Sequence, residues 1–307
     1  MYNRRDFLKT FGVTAMATSF GMLPFDLLAQ NDDFIKLTIL HTNDVHSRIE
    51  PFPMDGGRYQ GLGGAARRAA MIEKIRAEEQ AVLLLDSGDM FQGTPYFNFF
   101  GGELEFKLMS QMKYDAATIG NHDFDAGING LLKQLPNANF PLINCNYDFV
   151  DTVMNGQTLP RMTIQKGGIK VGILGVGIEL EGLVAAEMYK NTKYLSPIEC
   201  ANREANILKN EEQCDLVICL SHLGYHYKNE DKIDDISFAK QTENIDLILG
   251  GHTHTFLEKP DIQQNKAGKP VQIHQVGWGG IMLGRLDVYF EKSTKQYCSD
   301  CKPLYVK

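Results

Sequence analysis

The chain has 307 residues, 43% of them hydrophobic, with 31 Lys and Arg against 38 Asp and Glu for a formal net charge of -7. That length and apolar content can bury a substantial core, as one large domain or two small ones. The acidic balance, with no basic face along the chain, excludes a nucleic-acid polymer as the expected partner, because phosphate-backbone binding needs clustered cations.

Residues 1–30 read as a separate segment. Arg4-Arg5-Asp6-Phe7-Leu8-Lys9 precedes a mostly apolar or small stretch from Thr10 to Ala29, and the pattern resembles a twin-arginine export signal. A short membrane anchor or an amphipathic helix is the alternative. Gly12, Gly21, Pro24 and Asp26 interrupt the stretch, whereas a spanning helix needs about 20 uninterrupted apolar residues, so no stable membrane anchor is expected. The expectation is an exported, periplasmic protein delivered by the twin-arginine route, with a folded domain over residues 31–307.

From there the chain repeats one theme, a short apolar run followed by a polar cluster. The runs are Ile35 to Leu40, Val82 to Leu85, Ala116 to Ile119, Val171 to Val176, Leu216 to Leu220 and Ile245 to Leu249. They read as strands buried on both faces, and their separation leaves room for crossover helices. A helix is predicted over Gly64 to Glu79, where Ala65, Ala69, Ile72 and Ile75 form an apolar stripe beside Arg67, Arg68, Lys74 and Arg76. A second is predicted from Pro197 to Asn210. Val271 to Val276 and Ile281 to Phe290, joined through Gly277-Trp278-Gly279-Gly280, predict a closing hairpin. The sum is a layered α/β domain. Cys145, Cys200, Cys214 and Cys219 lie in or beside apolar segments and are expected as buried free thiols. Cys298 and Cys301 form C-x-x-C, which suits a redox pair, half a zinc site or a local disulfide; an oxidising compartment favours the disulfide.

Five of the apolar runs lead into ligand-type residues. These are Asp44 and His46 in D-x-H, Asp86 and Asp89, the run Asn121-His122-Asp123-Phe124-Asp125, His222, and His252 with His254 behind Gly250-Gly251. In α/β sheets, loops at the carboxyl ends of strands converge on one crevice. Asp, Asn and His without thiolates suit hard or borderline divalent ions: Mn, Zn, Co, Fe or Mg. Asp44, His46, Asp89, Asn121, His222, His252 and His254 are too many for one tetrahedral ion, and two ions sharing a bridging carboxylate is the economical solution. Two such ions about 3.5 to 4 Å apart clamp a phosphoryl group and activate water.

The ordered set D-x-H, G-D, G-N-H-D-F-D, a lone His and G-H-x-H resembles the calcineurin-like metallophosphoesterase signature. "ILHTNDVHS", "GDMFQGTP" and "IGNHDFDAG" resemble in particular the N-terminal catalytic domain of 5′-nucleotidases and UDP-sugar hydrolases, with the likeness running from about Ile35 to about Phe290. The resemblance implies a β-sandwich flanked by helices, in four α/β/β/α layers. It makes Asp44, His46 and His254 ligands of one ion, Asn121, His222 and His252 ligands of the other, and Asp89 the bridge. It gives His122 the role of donor to the phosphate and leaving group, held protonated and oriented by Asp125, with direct attack by water. Asp86 reads as a loop cap, His41 as structural, Asn43 as orienting its loop, and Asp123 as an exposed or loop-bracing position. His226 and His274 read as surface or packed histidines, and Trp278 as a candidate for lining the cleft.

Full-length relatives of that kind carry a C-terminal nucleotide-specificity domain, whereas this chain stops about 17 residues after the last recognisable strand. The expectation is therefore a catalytic domain alone, with a separately encoded C-terminal-type domain as a candidate partner. The expected activity is hydrolysis of nucleotides or related small phosphomonoesters. A 2′,3′-cyclic-nucleotide phosphodiesterase or nucleotide-sugar pyrophosphatase is the nearest rival, and a metal-binding subunit dependent on a specificity partner is another.

Overall fold

A computed structural model describes residues 33–229 and 231–307, so the twin-arginine-like segment lies outside the described residues. Period-two alternation along the buried strands sorts the side chains into separate layers. On Phe34–Thr42 and Val82–Asp86, the side chains of Leu37, Ile39, Leu83 and Leu85 face a second sheet, meeting Val171, Ile173, Ile218 and Leu249. Leu40 and Leu84 point the other way, onto Ile72, Ile75, Phe106 and Met109 of two helices. The outer face of the second sheet packs Val176, Val217, Cys219 and Ile248 against Cys200, Ala201, Ala205 and Phe238 of two more. The order of layers is α/β/β/α, as expected.

The first sheet runs Tyr297–Cys301, Met282–Glu291, Phe34–Thr42, Val82–Asp86 and Ala116–Ala117, with Leu304–Tyr305 also paired to the second of these. Asp261–Gln264, Pro270–His274, Leu247–Leu249, Leu216–His222, Ile169–Gly177 and Arg161–Lys166 make the second sheet. Parallel neighbours dominate its centre, which aligns the carboxyl ends of Leu216–His222 and Leu247–Leu249. Likewise, Phe34–Thr42 runs parallel to Val82–Asp86 in the first sheet. Among the described residues no helix is long and apolar enough to cross a membrane.

Three expectations are corrected. The closing hairpin does not form: Pro270–His274 pairs with Leu247–Leu249 in one sheet, while Met282–Glu291 pairs antiparallel with Phe34–Thr42 in the other. Gly277, Gly279 and Gly280 take φ of 73°, 62° and 62°, a left-handed path open to glycine that carries the chain between sheets. Arg68 does not lie on the polar face of Ala65–Glu78; it shares the buried face with Ala65, Ile72 and Ile75. Its charge is spent beneath the first ligand loops, where it favours ionisation of the buried Asp86.

Cys298 and Cys301 lie on one strand and are free thiols, as are the other four cysteines. Residues three apart in a strand point to opposite faces, so these sulfurs diverge and the local disulfide is geometrically excluded. Titrating the denatured, unreduced domain with a thiol reagent is expected to find six reactive groups. Four would restore the disulfide.

Candidate metal centre

Asp44 and His46 leave the end of Phe34–Thr42, Asp89 follows Val82–Asp86, His222 ends its strand, and His252 and His254 follow Leu247–Leu249. Their donor atoms form two triads, Asp44, His46 and His254, and Asp89, His222 and His252, each with its atoms within 4.8 Å of one another. In the first, His254 Nε2 lies 3.0 Å from His46 Nε2 and 3.3 Å from Asp44 Oδ1. In the second, His222 Nε2 lies 3.1 Å from Asp89 Oδ2. The same Asp89 oxygen is 3.9 Å from His46 Nε2, so this carboxylate stands between the triads. Asn121 Oδ1 joins the second triad at 2.8 Å from His252 Nδ1. All seven residues singled out from the sequence therefore converge.

The donor set fits divalent ions. His222 Nε2 is buried without a hydrogen-bond partner, while Nδ1 lies 2.7 Å from the Ser87 carbonyl. With Nδ1–H donating to that carbonyl, Nε2 is aimed at the carboxylates. The His46 ring is held in the same sense by the Phe91 carbonyl, 3.3 Å from Nδ1. Such outer hydrogen bonds fix the tautomer of metal-binding imidazoles. Burial opposes charge on both His222 and Asp89, but their mutual contact outweighs it and holds the imidazolium–carboxylate pair. A cation entering there would replace that proton.

Local backbone geometry marks the same residues. Asp44, His46, Asp89, His252 and His254 have φ of 50°, 51°, 55°, 71° and 54°, in the left-handed region that non-glycine residues rarely occupy. Backbone strain of this kind persists only where surrounding bonds over-determine it. Here Asp44 N donates to the Gly88 carbonyl, His46 N to the Asp89 carbonyl, and Gly279 N to the Asp44 carbonyl, at 2.7 to 3.0 Å. Gly120 is required by close approach, since a Cβ there would stand 2.2 Å from Asp89 Oδ1.

Asp123 was expected to be exposed or loop-bracing, and only bracing survives. It is fully buried, and its carboxylate accepts from the backbone N–H groups of Asp89, Met90, Phe91 and Gly120 at 2.8 to 3.1 Å. One side chain thus ties two ligand loops together. In Asp123→Asn an amide NH2 would face at least one of these donors, and an unmet buried donor costs about 1 to 3 kcal/mol. A denaturation midpoint lowered by that amount is the expected result, and an unchanged midpoint would remove the bracing role.

Asp86 caps its loop as expected, accepting from Gly88 N at 2.9 Å and the Thr42 hydroxyl at 2.5 Å, and burial pushes it up to about 7. Asn43 donates to Asp44 Oδ2 and the Gly277 carbonyl, both at 2.6 Å, which orients the first loop. His41 and His274 are buried against each other at 2.7 Å, and His226 is an exposed histidine beside Asp234. Trp278 lies against His254, with ring centroids 5.6 Å apart and planes 11° from parallel. That contact was invisible in the sequence, because the two residues lie on loops from different strands.

His122 sits on the rim, in the short helix His122–Phe124, with its ring 5.3 Å from that of His46. Its Nδ1 is 2.8 Å from Asp125 Oδ2, and this hydrogen bond raises the imidazole pKa above its usual value. Its backbone N–H donates to Asp89 Oδ1 at 2.7 Å, coupling the rim to the centre.

The family described as calcineurin-like phosphoesterase matches residues 37–256. Snake venom 5′-nucleotidase from Crotalus adamanteus is 35% identical over 289 residues, covering 88% of this chain and 48% of its own. Human 5′-nucleotidase is 31% identical over 290 residues, covering 88% and 49%. The crystal structure of the 5′-nucleotidase precursor from Thermus thermophilus superposes with a TM-score of 0.79 at 30% identity, covering 88% of this chain and 54% of that one. The chain spans about half the length of these relatives.

Proposed function

Since this chain belongs to the calcineurin-like phosphoesterase family, we propose that it is a metal-dependent hydrolase of nucleotides or related small phosphomonoesters, with residues 31–307 as its catalytic domain. The observation that carries the reading is the pair of facing triads with Asp89 between them and the His122–Asp125 pair at their rim. Asp44, His46 and His254 would hold one divalent ion and Asn121, His222 and His252 the other, with Asp89 shared; such a pair supplies Lewis acidity and an activated water at phosphorus.

The remaining work belongs to the chain. Asp125 occupies His122 Nδ1, which leaves Nε2–H free to face the substrate. The raised pKa favours the protonated imidazole, which donates a hydrogen bond to a phosphoryl oxygen and then a proton to the departing alkoxide. Ser87, Phe91 and Asn43 hold the ligand side chains in place before substrate arrives. Export by the twin-arginine route belongs to the same proposal and is supported by Arg4-Arg5 and the stretch that follows. A separately encoded domain that supplies base recognition is proposed as partner, given the half-length match to the relatives.

The test is phosphate release by residues 31–307 reconstituted in turn with Mn, Zn, Co and Mg. Substrates are 5′-mononucleotides, 2′,3′-cyclic nucleotides, UDP-glucose and p-nitrophenyl phosphate. The expected order puts 5′-mononucleotides ahead of the cyclic and sugar nucleotides. A preference for either of the latter would transfer the assignment to a phosphodiesterase or pyrophosphatase.

A further inference from the structure

We propose that Trp278 is a positioning residue: its indole holds the His254 imidazole in the ligating orientation and so sets how tightly the ion at Asp44, His46 and His254 is bound, without acting on the second ion. The inference rests on the two-ion reading of the centre.

His254 differs from its neighbours in how it is held. The side chains of His46 and His222 are 9% and 0% exposed, and each is anchored through Nδ1 to a backbone carbonyl. The His254 side chain is 39% exposed, and no described residue is hydrogen-bonded to its Nδ1. An imidazole on a solvent-facing loop retains rotamer freedom, which ligation must remove. In place of a carbonyl, the ring has the near-parallel indole face of Trp278, at the offset-stacking distance of aromatic pairs.

The indole is itself immobilised. Gly277 N donates to the Thr255 carbonyl at 2.9 Å, beside His254, and Gly279 N donates to the Asp44 carbonyl at 2.7 Å. Asn43 clamps the same turn from the first ligand loop, through Gly277 O and Val276 N. Phe52 meets the indole edge-on, with centroids 5.3 Å apart and planes at 85°, and Tyr59 does so at 6.3 Å. Trp278 therefore joins the loops of two ligands, Asp44 and His254, that belong to the same triad. Asp89, His222 and Asn121 are not tied to this turn by any of these bonds; His252 shares the His254 loop, and its own N–H donates to the Asp44 carboxylate at 3.0 Å rather than to the Trp278 turn.

Trp278 is the only tryptophan of the chain, which gives a direct readout. Chelator-treated residues 31–307 are titrated with Zn by calorimetry, with indole emission followed in parallel. Wild type is expected to bind two ions, with one of the two events changing the emission, and His254→Ala is expected to abolish that change. Trp278→Leu, which keeps apolar bulk but cannot stack, is expected to weaken one ion by about 10- to 100-fold, the usual loss when a partner orienting a metal ligand is removed, and to spare the other. Trp278→Phe is expected to restore most of it. Two ions bound by Trp278→Leu with wild-type affinity would overturn the inference alone. Emission unmoved at saturation in wild type would do the same and needs no variant to fold. Fewer than two ions in wild type would overturn the two-ion reading, and the inference with it.

Discussion

Asp89→Ala is expected to leave the purified protein with at most one ion per chain and to lower kcat/KM by at least about 1000-fold, given that a two-ion centre clamps both the attacking and leaving oxygens of the displacement. The reason is positional. Asp89 Oδ2 faces His222 Nε2 at 3.1 Å and His46 Nε2 at 3.9 Å, so it reaches both triads; Asp44 Oδ1, 3.3 Å from His254 Nε2, comes no nearer than 3.9 Å to His222 Nε2 of the second triad. Removing it subtracts a negative charge from a buried cluster whose other donors are mainly imidazoles, and leaves the second triad without any carboxylate. Asp89→Asn separates charge from shape, since a carboxamide oxygen can still accept from His122 N. Metal content by elemental analysis after gel filtration checks both variants. Two ions retained per chain in Asp89→Ala would end the bridging assignment.

His122→Ala is expected to do the reverse, keeping both ions while kcat falls by about 100- to 10,000-fold, the usual contribution of a positioned general acid. His122 is on the rim, its side chain 39% exposed, and its hydrogen bond to the centre is made by the backbone N–H rather than the imidazole. The loss should be largest for nucleoside leaving groups, whose alkoxides need a proton, and smallest for p-nitrophenolate, which departs without one. Asp125→Asn should fall between wild type and His122→Ala, because it removes the charge that raises the imidazole pKa while keeping a hydrogen-bond acceptor. Equal losses on nucleotide and nitrophenyl esters would sink the proton-donor role, and lost metal would make His122 part of the centre.

What could be read from the sequence follows the range of the forces involved. Strand runs were legible because burial on both faces writes itself as consecutive Val, Ile and Leu, and the strands at those runs begin and end within two residues of them, whereas the outer strands Arg161–Lys166, Asp261–Gln264 and Tyr297–Cys301, which carry no such run, were missed. Ligand-type residues were legible because each cluster directly follows its strand, and five such clusters in one α/β chain have one crevice to share. Asp123 could not be separated from a surface carboxylate, since three of its four backbone donors, Asp89, Met90 and Phe91, lie more than 30 residues before it. Arg68 looked polar-facing because charge ordinarily marks the wet side of a helix, although its spacing to Ala65 and Ile72 was already that of the buried stripe.

The sequence by itself determined the layered α/β class, the six buried strand runs and the seven donor residues that now converge, because alternation, burial and strand-end loops are properties of neighbouring residues. Only the tertiary structure decided which sheet each closing strand joins, that Cys298 and Cys301 point apart, and that Trp278 covers His254. A period-two pattern states which face is buried but not against what, and pairing, stacking and charge sharing between distant loops exist only once the chain has closed on itself.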